Sequence, residues 1–238
     1  MSNNKFLCTS LLIVAILAAQ GFSEGRPTPV AEILKERNIA LDIPSLLQAL
    51  QNSDADIRGL AALQLAGEKV ILASPAIEEA LTKETITRTR VDMAVALTWL
   101  ADKKGTEVLK DTCANSQIPT AFRTMAASYL LDANDESCLD AVLGILESSP
   151  DSRQVALSLL PKFKNASEDQ SRKIYTSTIK SLTDAAPAVR LTASYTCVAL
   201  ANAAAIPELQ RAIASEENKD VRREMENALG RLQERVKH

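Results

Sequence analysis

The chain has 238 residues, of which 46% are hydrophobic and 3% aromatic, and its formal net charge is −3. This mild acidity, with no basic run longer than two residues, excludes the basic face of a nucleic-acid-binding protein. The single histidine is His238, so one chain cannot assemble a Ser-His-Asp or Cys-His catalytic arrangement or a histidine-rich metal site, and no cofactor is expected.

Residues 1–23 differ in kind from the rest of the chain. One basic residue, Lys5, precedes an uncharged apolar stretch over residues 6–19, and small and polar residues follow. This order is typical of a secretory signal peptide, and the stretch is short for a membrane-spanning helix, which needs about 20 residues. We therefore expect export to the periplasm or the medium, with no integral membrane span after cleavage. An uncleaved membrane anchor is the alternative.

An arginine recurs along the rest of the chain at the start of similar segments. In each segment the third, fourth and seventh positions after the arginine are mostly small or apolar. Successive arginines are 30 to 37 residues apart, a period typical of helical repeats. The six anchoring arginines are Arg58, Arg90, Arg123, Arg153, Arg190 and Arg222.

Each anchor is expected to open one helix, because apolar residues recur at helical spacing after it. A second amphipathic segment follows after a short polar break, so the pattern predicts two helices per unit. Ser167 and Gln170 predict a capping box at the start of one second helix. An N-terminal segment with a first helix is expected over residues 24–43, and the repeat array over residues 44–238.

The last segment is expected to close the array. It carries apolar residues along one side and charged residues elsewhere, as a terminal helix with one solvent-facing side requires. The apolar stripe consists of Val221, Met225, Leu229, Leu232 and Val236.

Two segments, DADIRGLAALQLAG at residues 54–67 and KDVRREMENALGRL at residues 219–232, resemble the HEAT-like repeat pattern. The resemblance covers roughly residues 44–236 and is specific for an architecture, not for a function. It implies an all-α fold, a right-handed α-solenoid of about five two-helix repeats with terminal capping helices. The iron-dependent hydroxylases with such repeats would need His-Glu pairs that this chain lacks. Chromophore lyases of similar pattern act inside the cell, which the export signal contradicts.

The resemblance also implies a structural role for the arginines. In such repeats the arginine of one unit bonds the aspartate or the carbonyl groups of its neighbour, which forms a ladder. An aspartate stands two residues before three of the anchors, as Asp56, Asp151 and Asp220. Other residue types occupy this position before the remaining anchors, so we expect the ladder to be interrupted in mid-array.

Three cysteines lie beyond the predicted signal peptide. Cys113 falls late in one second helix and Cys138 early in the next, so parallel stacking predicts a separation above the roughly 7 Å that a disulfide tolerates. We therefore expect these two residues and Cys197 to be buried free thiols. A bridge between Cys113 and Cys138 is the alternative.

Partner binding is expected on the sides of the second helices that face away from the core, along a concave surface. These sides carry mixed charge and few aromatic residues, which predicts moderate affinity with strong salt dependence. The candidate partner-binding residues are Glu78, Lys110, Asp140, Lys173, Lys180, Glu208 and Arg211.

The sequence favours a non-catalytic scaffold that binds another protein or an extended peptide. It contains no glycine-rich phosphate loop, and residues 132–137 begin like a calcium loop but lack its glycine. One alternative is a lyase-like enzyme or enzyme subunit that holds a substrate in the groove. The other is a structural spacer within an envelope assembly.

Overall fold

A computed structural model describes residues 29–237, so the predicted signal peptide lies outside the described part of the chain. The chain divides after Asp102 into two compact units, each with its own internal contacts. Within residues 29–237 every regular element is helical, and none of these helices is long and apolar enough to cross a membrane.

In unit 1, two arginine-bearing helices lie side by side and the shorter helices pack against them. The α-helices of the described part of unit 1 are α1 (Pro29–Glu36), α2 (Ile43–Ala49), α3 (Ala55–Gly67), α4 (Ser74–Lys83) and α5 (Thr87–Trp99). Helices α3 and α5 contact each other along much of their length, α2 packs on α3 and α4 packs on α5. Helix α1 packs on α3 and provides an N-terminal end to the stack.

Helices α2 and α3 begin at aspartates that cap them. The carboxylate of Asp42 accepts a hydrogen bond from the N–H of Ser45 at 3.0 Å, and that of Asp54 accepts one from Asp56 at 2.9 Å. Caps of this kind satisfy backbone N–H donors that a helix start leaves without partners. Arg37 also donates to Asp54 at 2.8 Å, which ties the end of α1 to the start of α3.

In unit 2, helices alternate between two rows. The α-helices of its described part are α6 (Lys103–Ala114), α7 (Thr120–Asp132), α8 (Leu139–Ile145), α9 (Pro150–Leu159), α10 (Glu168–Ser181), α11 (Pro187–Leu200), α12 (Ala205–Ser215) and α13 (Lys219–Arg235). The arginine-bearing helices α7, α9, α11 and α13 stack directly in one row, and α8, α10 and α12 meet one another only lightly. Helices α6, α10 and α12 each pack on the arginine-bearing helix that follows.

One local prediction for unit 2 is confirmed, and a second is confirmed in part. Ser167 and Gln170 form the capping box of α10, since the serine hydroxyl accepts from the N–H of Gln170 at 3.3 Å and the glutamine side chain accepts from the N–H of Ser167 at 2.9 Å. The stripe on α13 faces inward at Val221, Met225 and Leu232, which are buried. Leu229 and Val236 are only half-buried, and Ala228 completes the buried side.

The predicted fold class is confirmed for the described residues. Each unit consists of paired helices that repeat along the chain, which is the α-solenoid type of all-α fold. The sequence predicts one array over residues 44–238, whereas the contacts group the chain into two units with a boundary after Asp102.

A disulfide joins Cys113 and Cys138, so the expectation of free thiols at these two positions is wrong. Helices α6 and α8 both pack on α7, and Cys138 lies in the turn before the short helix α8 rather than on a helix stacked in register with α6. The two Cα atoms are therefore 6.2 Å apart, within reach of a bridge. Cys197 is buried and free, as expected.

Candidate functional site

Three of the six arginines bridge successive repeats through a carboxylate, and we call such a bridge a rung. In unit 1, the Arg58 guanidinium donates to Glu84 Oε2 at 2.8 Å and to the carbonyl oxygen of Asn52 at 2.7 Å. In unit 2, Arg190 donates to both carboxylate oxygens of Glu216 at 2.6 and 2.7 Å and to the carbonyl oxygen of Asp184 at 2.8 Å. Each arginine thereby joins the loop before its own helix to the loop before the next arginine-bearing helix.

The acidic partner of each rung stands six residues before the next arginine. Glu84 accepts Arg58 with its side chain, and its carbonyl oxygen accepts Arg90 at 2.9 Å. Glu216 accepts Arg190 in the same way, and its carbonyl oxygen accepts Arg222 at 2.8 Å. One residue thus serves two successive arginines, which fixes the spacing between neighbouring repeats.

The same acids also cap the next helix. Glu84 Oε1 accepts hydrogen bonds from the N–H groups of Thr85 and Ile86 at 2.9 and 2.8 Å. Glu216 Oε1 accepts one from Asn218 at 2.9 Å. The rung carboxylates therefore have their acceptor sites filled by the protein itself.

The remaining arginines make fewer contacts. Arg153 donates to Asp184 Oδ1 at 2.8 Å and completes a third rung. Arg90 donates to the carbonyl oxygens of Leu81 and Glu84, and Arg123 to that of Cys113 at 3.0 Å. Neither Arg90 nor Arg123 forms an ion pair with a described residue, so the ladder is interrupted in mid-array as expected.

The acidic partners differ from those that the sequence suggested. Asp56, Asp151 and Asp220 are exposed and do not pair with the anchoring arginines, because they precede those arginines by two residues on the outer side of the helix. Arg190 was expected to interrupt the ladder, yet it forms the most complete rung. Alignment of the segments on their arginines, followed by inspection of the sixth residue before each, would have found the true partners.

Electrostatics hold the rung groups in their charged forms. The hydrogen bond from Arg190 lowers the pKa of Glu216, and the same bond raises the pKa of Arg190. Burial alone would raise the pKa values of Glu84 and Asp184, but hydrogen bonds from backbone N–H groups and from Arg58 and Arg153 lower both. All four groups stay ionised around neutral pH.

A cavity lies beside a rung in each unit. The cavity of unit 1, about 300 Å³, is lined by Arg58, Glu84 and residues of α2 and α4. The cavity of unit 2, about 250 Å³, is lined by Arg190, Glu216 and residues near the ends of α10 and α12. The two cavities occupy the same position in the repeat, and the rung forms part of the wall of each.

The predicted partner-binding residues lie on exposed or half-exposed sides of the second helices, and most of them pair with one another or with nearby acids. Lys110 pairs with Asp135 at 2.7 Å, and Lys180 with Glu147 at 3.0 Å. Glu208 and Arg211 pair within α12. The structure thus neutralises much of this surface locally.

The other predicted residues are more dispersed. Lys173 pairs with Asp169 at 3.1 Å, and this bond, together with the nearby charge of Asp140, raises the pKa of Lys173. Asp140 is exposed on α8, and Glu78 is half-buried on α4 of unit 1. Glu78 therefore belongs to a different unit from the rest of the predicted set.

A buried carboxylate, which the sequence did not single out, lies between α3 and α5. Asp92 faces Gly59, where an added Cβ would come within 3.1 Å of Asp92 Oδ2. Burial raises the pKa of Asp92 to about 6, although Arg88, at 2.9 Å, opposes the shift. The absence of a side chain at Gly59 leaves the space that the Asp92 carboxylate occupies.

We expect the free energy of unfolding to change with pH as Asp92 titrates. The folded-state pKa of about 6 lies above the ordinary value of 3.8, so the folded state binds more protons between these values and the free energy of unfolding falls as pH rises. Replacement by asparagine should remove about 2 kcal/mol of this decline between pH 4.5 and 7.5. Urea unfolding of wild type and Asp92→Asn at both pH values measures it. Asp140→Asn, at an exposed position, is the control, and equal pH slopes for wild type and Asp92→Asn would contradict the assignment.

No family model and no curated protein matches the chain. Among solved structures, an engineered protein from the Northeast Structural Genomics Consortium aligns with a TM-score of 0.49 at 18% identity, covering 80% of this chain and 96% of its own. Human deoxyhypusine hydroxylase in complex with glycerol gives 0.42 at 16% identity, with 96% and 98% covered. Computationally designed armadillo repeat proteins for modular peptide recognition give 0.36 at 16% identity, with 96% and 94% covered. At such TM-scores these likenesses carry no argument about function.

Proposed function

We propose that the protein is a non-catalytic helical-repeat scaffold, exported from the cytoplasm, that binds a protein or peptide partner on an exposed face of its stacked helices. The observation that carries this proposal is the chemistry of the two cavities. The arginines and acids of the rungs in their walls are committed to inter-repeat bonds that hold the stack together, and Glu79 and Lys83 pair with each other within α4. The surface that remains for recognition is the outside of the helices.

General acid–base catalysis needs a group whose pKa lies near the working pH. The rung carboxylates Glu84, Asp184 and Glu216 have lowered pKa values, and Arg190 has a raised one, so all four are shifted away from neutrality. The free thiol of Cys197 has its pKa raised to about 12 by burial, which suppresses the nucleophilic thiolate. Asp92, whose pKa of about 6 lies nearer the working range, is buried between α3 and α5, pairs with Arg88 and does not line the cavity of its unit. These properties suit a structural stack better than a reaction centre.

Export is the second part of the proposal. The disulfide between Cys113 and Cys138 suits an oxidising compartment, and the first residues of the chain have the order of a signal peptide. We expect the mature protein to begin between residues 20 and 24 and to accumulate outside the cytoplasm. N-terminal sequencing of the protein from each cell fraction measures this. Recovery of an intact Met1 in soluble cytosol would contradict export.

Partner binding is tested by chemical cross-linking of the exported protein in its native compartment, followed by mass spectrometry and by affinity measurement with each purified candidate. A scaffold should form a saturable complex with its partner, and the affinity of that complex should not depend on any catalytic turnover. Co-purification with insoluble envelope material alone, with no saturable complex, would replace the scaffold by a structural spacer.

A further inference from the structure

The arginine-bearing helices of unit 2 expose a face of their own. Residues two and five positions after each arginine lie on the same side of a helix, since three residues make nearly one turn. On α7, α9 and α11 these residues are partly exposed and uncharged, and we call them the floor. The floor consists of Met125, Ser128, Val155, Ser158, Thr192 and Tyr195.

Contacts between neighbouring helices show that equivalent positions line one surface. Asp132 and Lys162 both stand nine residues after an arginine, and their side chains pair at 3.1 Å. The hydroxyl of Tyr195 donates to Glu224 of α13 at 3.0 Å. The guanidinium of Arg231 lies 5.8 Å from the centre of the Tyr195 ring. Equivalent positions therefore lie side by side on α7 and α9 and on α11 and α13, and α9 packs directly on α11 between them.

The six floor side chains are apolar or carry hydroxyls. Charged groups near them include the Asp132–Lys162 pair, at the far ends of α7 and α9, and Glu224 and Arg231 on α13. Each of the three floor helices contributes one apolar group, namely Met125, Val155 and the ring of Tyr195. Val155 is 45% exposed, and no other large hydrophobic side chain in the described part of unit 2 is exposed to this degree. The rung arginines beside the floor donate into the loops and put no charge on it. The second helices carry ion pairs on their exposed sides, such as that of Lys180 with Glu147.

One edge of the floor is acidic. Asp151 and Asp220 stand two residues before an arginine and are exposed. Asp151 has no ion-pair partner among the described residues, and Asp220 has only a 3.6 Å contact with Arg223. These carboxylates lie beside a surface of apolar and hydroxyl side chains. The arrangement is complementary to a partner segment in which a basic side chain stands next to aliphatic ones.

We propose that the floor binds a short extended segment of a partner protein that carries aliphatic side chains and a lysine or arginine at its acidic edge. This inference rests on the proposed scaffold function and gives its binding surface and partner chemistry. Helix axes in contact are about 10 Å apart, so three helices span about 20 Å. An extended chain covers this distance with about seven residues.

The experiment uses a random heptapeptide library displayed on phage and the purified exported protein as bait. We expect enrichment of peptides with alternating aliphatic residues and at least one basic residue. The most enriched sequence is then synthesised with a fluorescent label, and its Kd is measured by anisotropy.

Variants at exposed positions separate the two helix faces without disturbing the core. Val155→Lys with Ser158→Lys on the floor should weaken binding of the labelled peptide by at least about tenfold. Ser171→Lys with Thr176→Lys on α10 adds the same charge to the second helices and should leave the Kd unchanged. Asp151→Asn with Asp220→Asn should weaken binding by about threefold, since exposed ion pairs are modest, and should remove the preference for basic residues.

The results distinguish a failure of the floor assignment from a failure of the proposed scaffold function. Enrichment of acidic peptides, or a loss of binding only in the α10 variant, would overturn the floor assignment while the scaffold function stood. A native partner that cross-links specifically and binds both paired lysine variants equally would do the same. Absence of both enriched peptides and any native partner would overturn the scaffold function as well.

Discussion

Substitution of Arg190 by alanine is expected to lower the free energy of unfolding by about 3 kcal/mol, because removal of one partner leaves a buried charge uncompensated. Glu216 keeps only 2% of its side chain exposed and receives both bonds of its rung from this arginine. The carbonyl oxygen of Asp184 loses a donor in the same variant. Urea unfolding at neutral pH measures the change.

The control is Arg123→Ala. Arg123 donates to one carbonyl oxygen, that of Cys113, so its loss should cost about 1 kcal/mol. Equal losses for the two variants would mean that the carboxylate adds nothing to the rung. The Arg190 effect should also fade in acid. The lowered pKa of Glu216 means that its contribution is present above the ordinary value of 4.5 and is lost as pH falls through the folded-state pKa.

Removal of the disulfide, by Cys113→Ser with Cys138→Ser or by reduction, is expected to lower the free energy of unfolding by about 3 kcal/mol. The bridge closes a loop of 25 residues that contains α7, and a closed loop of this size restricts the unfolded chain by about that amount. Urea unfolding with and without reductant measures it. The helix content of the folded protein should be unchanged, because the bridge joins helix ends rather than replacing helical contacts.

Thiol counting provides the check on this second prediction. The unreduced exported protein, unfolded in guanidinium, should react with a thiol reagent at Cys197 alone among the cysteines of the two units. Reaction at Cys113 and Cys138 as well would show that the bridge is absent in the exported protein.

The helices were predictable from the sequence because their signal is local. An arginine followed by apolar residues at helical spacing recurs at a steady period, and the capping box at Ser167 depends on residues only three apart. The disulfide was not predictable in this way, since the distance between Cys113 and Cys138 depends on how α6 and α8 both pack on α7. The local sequence pattern therefore predicts the helices, whereas the packing of the helices determines which helix ends lie close together.

The candidate site was predictable only in part, and for a related reason. The sequence shows that Lys110 and Lys180 face solvent, but their acidic partners, Asp135 and Glu147, come from other segments. The residue six positions before an anchor varies in type, and it is Asn52 before Arg58. The constant position of the rung acid is therefore visible in the sequence only when the segments are aligned on their arginines.

The double use of the rung acid restricts where the chain can lengthen. Arg90 stands six residues after Glu84, and Arg222 six residues after Glu216, and each arginine donates to the carbonyl oxygen of that acid. An added residue between them would break this bond. The longest interval between anchors, from Arg153 to Arg190, takes its extra residues on the other side of the repeat, before α10. Grafted loops and affinity tags should therefore be tolerated at the turns that follow the arginine-bearing helices and rejected at the turns that precede them.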